Sequence, residues 1–252
     1  MTTPSLWLAY DHIDTQTLMT FLKQWGHYFR GIKIGLEKFI QHGQAQLHLI
    51  KQHYPHLDIF LDLKLHDIPM TVFKAIEQLA HTPINYLTVH LSGGQEMLLM
   101  AKKAQQLTKS DLHIIGVTIL TSLDEADLHQ LWPRDSLDYT SLLHRYLSLA
   151  QLSGIQHLVV SPKDLTMITD SWKKHFQFFC PGLRFEEDPI GDQKRICTPQ
   201  EAVAWGAHHL IMGRSLTSHL QQPPQLQSRL DHIKSLIPFP HNQFPMSQNE
   251  IR

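Results

Sequence analysis

Ile59-Phe60-Leu61-Asp62-Leu63-Lys64-Leu65-His66-Asp67 reads as a β-strand that ends in ionisable residues. Strand side chains alternate between faces. Leu61, Leu63 and Leu65 therefore share one face, suited to packing under helices, while Asp62 and Lys64 share the other. A carboxylate and an ammonium withdrawn from water cost free energy unless they pair, and a two-residue step lets these two meet. A half-exposed strand with a solvated Asp/Lys face would show the same pattern. The rest of the chain weighs against that reading, because it predicts a parallel sheet covered by helices.

Eight short runs have β character: Leu6–Tyr10, Gly31–Gly35, Asp58–Leu63, Tyr86–His90, His113–Thr118, His157–Ser161, Phe176–Cys180 and His208–Met212. Helical spacing fills most of the intervals, as in Val72, Ile76 and Leu79, or Leu98, Ala101 and Leu107. Strands alternating with helices indicate βαβ units, and eight of them in 252 residues predict an α/β fold, a single-domain (β/α)8 TIM barrel. Ser92 with Gln95, Ser122 with Glu125, and Thr198 with Glu201 each have capping-box spacing. Ser161 precedes a first-turn Pro162. The segment 122–156 is long enough for more than one helix. Pro223-Pro224 leads into a last helix near Leu226–Ile237. The barrel domain is expected over 1–237, with 238–252 a Pro-rich polar tail that frays.

Composition narrows the class. Twenty-two Lys+Arg against 23 Asp+Glu give a net charge of -1, which speaks against a broad nucleic-acid-binding surface. Two cysteines, Cys180 and Cys197, cannot form a disulfide framework. No run approaches the ~20 apolar residues of a membrane span. The start of the chain lacks a basic and apolar leader. A soluble, cytoplasmic protein is expected, with no nucleic acid and no membrane partner. The 19 histidines raise a metal site, but neither HxH nor HExxH occurs. His27, His42, His48, His53 and His56 read as surface composition.

A barrel of this kind keeps its chemistry at the C-terminal ends of its strands. There the first strand ends at Asp11, and the second places Lys33 inward between Gly31 and Gly35, which leave room for the lysine or for a ligand. With Asp62, Lys64 and nearby Asp67, three carboxylates and two ammoniums alternate around one mouth. The seventh and eighth units look anion-directed. Arg184 follows Pro181-Gly182-Leu183, and Gly213 precedes Arg214, letting a phosphate approach the backbone. The long polar segment 183–198 reads as a lid.

Asp62-Leu63-Lys64-Leu65-His66-Asp67-Ile68-Pro69, followed by Thr71, resembles the signature of the orotidine 5'-phosphate decarboxylase family. Lys33, Thr88-Val89-His90, Gly93-Gly94, Leu120-Thr121-Ser122, Pro181-Gly182-Leu183-Arg184, Asp192-Gln193-Lys194-Arg195 and Gly213-Arg214 follow in the family's order, so the resemblance spans roughly residues 6–220. It implies decarboxylation of orotidine 5'-phosphate to UMP, the last step of pyrimidine nucleotide synthesis, with no metal and no organic cofactor. It implies that Lys64 protonates C6 of the pyrimidine, that Asp62 sits by the departing carboxylate and that Asp67 comes from the neighbouring subunit of a homodimer. Asp11, Lys33 and Thr71 would bind around the ribose, and Thr121 or Ser122 the pyrimidine. Gln193 would bridge base and phosphate. Arg184, Gly213 and Arg214 would hold the phosphate. Three positions depart from the pattern: Tyr10, Leu91-Ser92, and Ser215 where proline is usual. Ser122 competes with its reading as a helix cap, which favours Thr121.

Two rivals share the barrel. Magnesium-dependent phosphosugar decarboxylases and aldolases of the same superfamily share the third-strand motif, but carry an acidic residue where this chain has Lys33. A catalytically silent binding protein would not need the intact Asp62, Lys64 and Asp67 set.

Overall fold

The computed structural model describes residues 4–109, 111–131, 138–189 and 197–237. Eight parallel strands close a barrel in chain order: β1 (Ser5–Tyr10), β2 (Gly31–Gly35), β3 (Asp58–Leu65), β4 (Tyr86–His90), β5 (His113–Val117), β6 (His157–Val159), β7 (Gln177–Cys180) and β8 (His209–Met212). β8 pairs with β1 and completes the ring. All eight predicted strands are present; β2 and β4 have the predicted limits, and the other six differ by one or two residues at one end. β6 stops at Val159 because Ser161 and Pro162 start a 3-10 turn over Pro162–Thr166, and proline has no N–H to give a ladder.

Helices α1 (Thr15–Trp25), α2 (Leu36–His53), α3 (Pro69–Leu79), α4 (Gly94–Thr108), α5 (Glu125–Leu131), α6 (Tyr139–Leu152), α7 (Asp170–Lys173), α8 (Pro199–Trp205), α9 (Arg214–Thr217) and α10 (Pro223–Leu236) alternate with the strands. Two of them, α5 and α6, occupy the long interval after β5, as its length predicted. Side chains start several of these helices. Asp14 accepts from the Thr17 N–H at 2.8 Å, Asp138 accepts from the Ser141 N–H at 2.7 Å, and Thr198 with Glu201 forms a full capping box.

The other two predicted boxes do not form. α5 is capped two residues later, where Asp124 and Asp127 accept from each other's backbone N–H at 3.0 and 2.9 Å. α4 starts from Gly93 with no side-chain cap, because the Ser92 hydroxyl lies 2.6 Å from His90 Nδ1. The predicted apolar stripe also needs one correction. Leu98 and Ala101 are buried on α4, but Leu107 is exposed, and the buried face continues through Ala104 and Gln105.

The alternation of each strand sorts its residues into two cores. Leu6, Leu8, Ile32, Ile34, Ile59 and Leu61 point outward and pack under the helices. Trp7, Ala9, Phe60, Ile115, Phe179 and Ile211 fill the barrel interior. Each fully buried aliphatic side chain contributes about 1.5–3 kcal/mol relative to an exposed one. The interior packing plugs the N-terminal half of the barrel. The C-terminal half is thereby left as an open mouth.

Candidate active site

β1, β2 and β3 each deliver a charge to that mouth, because the inward parity set by Trp7, Ala9 and Phe60 continues to Asp11, Lys33 and Asp62. Lys33 Nζ donates to Asp11 Oδ1 at 3.0 Å and lies 3.6 Å from Asp62 Oδ2. Lys64 Nζ donates to both Asp62 oxygens at 2.9 Å. The four groups form one chain of alternating sign. Its buried centre is Lys33 with Asp62, whose side chains are each 11 % exposed. Lys64 at the open end is 39 % exposed.

Burial works against the ionised Asp62 carboxylate. Lys33, Lys64 and the Thr88 hydroxyl together overcome that penalty and hold its pKa below the usual carboxylate value. Lys33 is the mirror case: burial disfavours its charge, but Asp62 and Asp11 raise its pKa above the ordinary lysine value. Both groups therefore remain charged around neutrality.

Lys64 reaches this position by leaving regular strand geometry. Its φ is 50°, in the left-handed region, and the β3–β4 register shifts between Leu61 and Leu65. Such a conformation costs of order 1–3 kcal/mol in a residue with a side chain. Thr88 on β4 supports it, accepting from the Lys64 N–H at 2.8 Å while donating to Asp62 Oδ1 at 3.0 Å. Thr88 is fully buried. Sequence reasoning gave it no role. The signal that could have found it is a hydroxyl with inward parity on the strand beside Asp62.

The two glycines of β2 differ in role. A Cβ at Gly31 would collide with the Asp58 carbonyl and the Trp7 ring, so this glycine makes room for the floor of the barrel and not for Lys33 or a ligand. A Cβ at Gly35 would lie 2.9 Å from Asp11 Oδ1, and there the glycine does admit the Asp11–Lys33 pair.

A cleft of about 480 Å³ opens over the charges. Asp11, Lys33, Asp62 and Lys64 line it on one side, and Arg184, Gly213 and Arg214 on another. Arg184 is buried and anchored through a 2.8 Å bond from its guanidinium to the Leu183 carbonyl. Thr121 and Ser122 both line the cleft after β5. The Asp124 cap frees Ser122 from its competing role, so nothing separates the two hydroxyls. His12, also on the cleft wall, was not singled out in the sequence.

Asp67 and Thr71 do not join this chain's cleft. Both are exposed at the start of α3, and the Asp67 carboxylate accepts from the Ile68 N–H at 2.7 Å. The apolar Ile68 and Met70 beside them are also exposed. Gln193, with Asp192, Lys194 and Arg195, falls in 190–196, the part of the anticipated lid that lies outside the described residues. His66 is exposed at the rim against His90, with ring centroids 5.5 Å apart, and does not line the cleft. Burial, reinforced by His66 and Lys64, lowers the pKa of His90 to about 4. Among the described residues, no group of three or more His, Cys, Asp or Glu is placed to hold a metal ion. Nor is any described helix long and apolar enough to cross a membrane.

A closed parallel barrel with its ionisable cluster at the C-terminal strand ends defines a (β/α)8 protein of the enzyme-bearing kind. Comparison with known proteins narrows that class. The chain belongs to the Orotidine 5'-phosphate decarboxylase / HUMPS family, whose model matches residues 4–225. It is 37% identical over 233 residues to the orotidine 5'-phosphate decarboxylase of Sphingopyxis alaskensis, covering 91% of this chain and 97% of the relative. The enzyme of the same name from Fusobacterium nucleatum is 36% identical over 230 residues, covering 91% and 94%. Among solved structures, orotidine 5'-phosphate decarboxylase from Lactobacillus acidophilus superposes with a TM-score of 0.72 at 26% identity, over 92% of this chain and 98% of that one. An uncharacterized conserved protein from Geobacillus kaustophilus gives 0.74 at 30% identity, over 90% and 99%.

Proposed function

We propose that this chain decarboxylates orotidine 5'-phosphate to UMP and carbon dioxide, without metal or organic cofactor, and that Lys64 donates the proton to C6. The observation that carries the mechanism is the Lys64 ammonium held at 2.9 Å from both oxygens of a buried, ionised Asp62 at the cleft wall. Loss of carbon dioxide leaves an electron pair on C6 that the pyrimidine ring delocalises poorly. A fixed ammonium stabilises that charge as it develops and then transfers a proton to it. Asp62 holds Lys64 in place beside the site of the leaving carboxylate. Asp11 and Lys33 would receive the ribose, and Thr121 or Ser122 the pyrimidine. Arg184, Gly213 and Arg214 would grip the phosphate, with Gln193 bridging base and phosphate. Binding energy from the phosphate can then lower the barrier at C6.

Asp67 and Thr71 would act in the cleft of a second subunit, which makes the active form a homodimer. Their outward position beside exposed Ile68 and Met70 supports this reading. The magnesium-dependent alternative has an observation against it: the Lys33 ammonium sits between Asp11 and Asp62, where it would repel a divalent cation.

Replacing Lys64 with Ala tests the proton donor. Turnover is expected to fall by at least about a hundredfold to ten-thousandfold with the melting temperature little changed. Near-normal turnover in the folded variant would refute the assignment. Mixing Lys64→Ala with Asp67→Ala subunits should restore activity, since each heterodimer regains one intact site. No recovery after proven subunit exchange would count against sharing.

A further inference from the structure

Arg229 is a buried cation of α10 that does not line the cleft. Its guanidinium donates through Nη1 to Asp188 Oδ1 at 2.7 Å and to the Ser215 carbonyl at 2.6 Å, and through Nη2 to Glu187 Oε1 at 2.8 Å. Its Cζ lies 4.5 Å from the centre of the Phe185 ring. Asp188, whose side chain is 5 % exposed, accepts from the Phe185 N–H at 3.0 Å and from the Ser215 hydroxyl. Phe185 directly follows Arg184, and Ser215 directly follows Arg214. One buried Arg–Asp pair therefore grips the residue next to each cleft arginine, on two loops that belong to different strands.

We propose that Arg229 is a positioning residue, which with Asp188 and Ser215 fixes Arg184 and Arg214 relative to each other for the phosphate of the nucleotide. The proposal rests on the reading of the cleft as a nucleotide 5'-phosphate site. A phosphate gripped from two loops is bound well only if the loops keep a fixed spacing, and a displacement near 1 Å at such a site is expensive. Arginine suits the task because its planar fork serves several acceptors at once while stacking on an aromatic ring. Burying that charge is tolerable because the two carboxylates and the carbonyl occupy the fork. The clamp also gives the Ser215 side chain a role, since its hydroxyl donates to Asp188.

The test compares UMP with uridine, which lacks only the phosphate, by calorimetric or NMR titration of the full chain. For Arg229→Met, UMP affinity should fall by about ten- to a hundredfold, with uridine affinity nearly unchanged. KM for orotidine 5'-phosphate should rise in parallel. Arg229→Lys, which keeps the charge but loses the fork, should lie between Met and the native protein. Ser215→Ala removes only the hydroxyl link and leaves packing intact. It should weaken UMP by about two- to tenfold, again without affecting uridine, and it keeps the idea testable if the Arg229 variants fail to fold. Equal losses for UMP and uridine would assign these residues a merely structural role and overturn the proposal, as would unchanged UMP binding in Ser215→Ala. A native protein that binds no UMP would overturn the cleft reading and this proposal together. Native binding with an unmoved UMP-to-uridine ratio would overturn this proposal alone.

Discussion

The barrel interior has two ends built by one rule to opposite effect. At the N-terminal end, Trp7 stands edge-on to Tyr86, Phe179 and Phe60 at centroid distances of 5.3, 5.5 and 6.1 Å. His209 stacks on Phe179 at 4.0 Å, and His113 stacks on Tyr86 at 5.0 Å with His157 beside it. At the C-terminal end, Asp11, Lys33, Asp62 and Lys64 occupy the same inward parity as an alternating ion chain. The floor includes histidines among its aromatic rings yet carries little charge. Burial, with neighbouring His113, Lys102 and His208, lowers His157 to about 4, and burial also takes His209 well below the ordinary histidine value. These rings act as aromatic fillers that hydrogen-bond, as His209 does with Ser5 and Gln177. The mouth keeps real charges, and a buried ion pair is a poor way to gain stability compared with apolar packing. Its charges are therefore better understood through chemistry than through folding.

Three substitutions can break or sharpen that contrast. The largest effect is expected for Asp62→Ala. It leaves Lys33 and Lys64 without their shared partner and should cost about 3–5 kcal/mol in urea unfolding, together with nearly all turnover. A variant of native stability and activity would show that the ion chain matters to neither.

Next comes Trp7→Ala at the floor. A cost of about 3–5 kcal/mol is expected from lost contacts and the remaining cavity, with KM and kcat of the folded protein little altered. A large kcat defect at unchanged stability would mean that the two ends are not separable.

The smallest effect is a pH slope. The folded pKa of His157 lies near 4, below the ordinary 6.5, so between these values the unfolded chain holds more protons. Stability is thus lost as pH falls through that window, and His157→Phe should remove up to about 1.4 kcal/mol of the loss per pH unit. The mouth behaves differently. The Asp62 contribution is present above the usual carboxylate pKa of 3.8 and is lost only as pH falls through its still lower folded value. The Lys33 contribution is present below 10.5 and is lost as pH rises through its raised folded value. Neither adds appreciable slope between about pH 5 and 6.5, so the difference between the stability curves of native protein and His157→Phe over that range reports the floor.

The barrel was legible because its cause is local. Gly31-Ile32-Lys33-Ile34-Gly35 carries its own parity and breakers, and β2 has the predicted limits. Inward Lys33 and Asp62 followed from the same period of two, and the barrel order brings the β7 and β8 loops together around Arg184 and Arg214. What stayed hidden depends on partners distant in sequence. The left-handed turn at Lys64 is held by Thr88, 24 residues away. The histidines of β5, β6 and β8 meet only when the ring closes, so reading histidine as surface composition missed His113, His157 and His209. Asp124 outcompeted Ser122 as the cap of α5 because Asp127 sits three residues on and returns the bond, a pairing visible in the sequence but overlooked beside the Ser/Glu spacing. Asp67 and Thr71 have no cleft partner in their own chain, so no intrachain rule could place them.

The most direct measurement follows the ultraviolet absorbance of orotidine 5'-phosphate mixed with the purified protein in chelator, with product identified by chromatography. The charged mouth predicts conversion to UMP with one carbon dioxide released per turnover, at a rate that neither chelator nor added magnesium alters. Absence of UMP, or turnover that disappears in chelator and returns with magnesium, would contradict it.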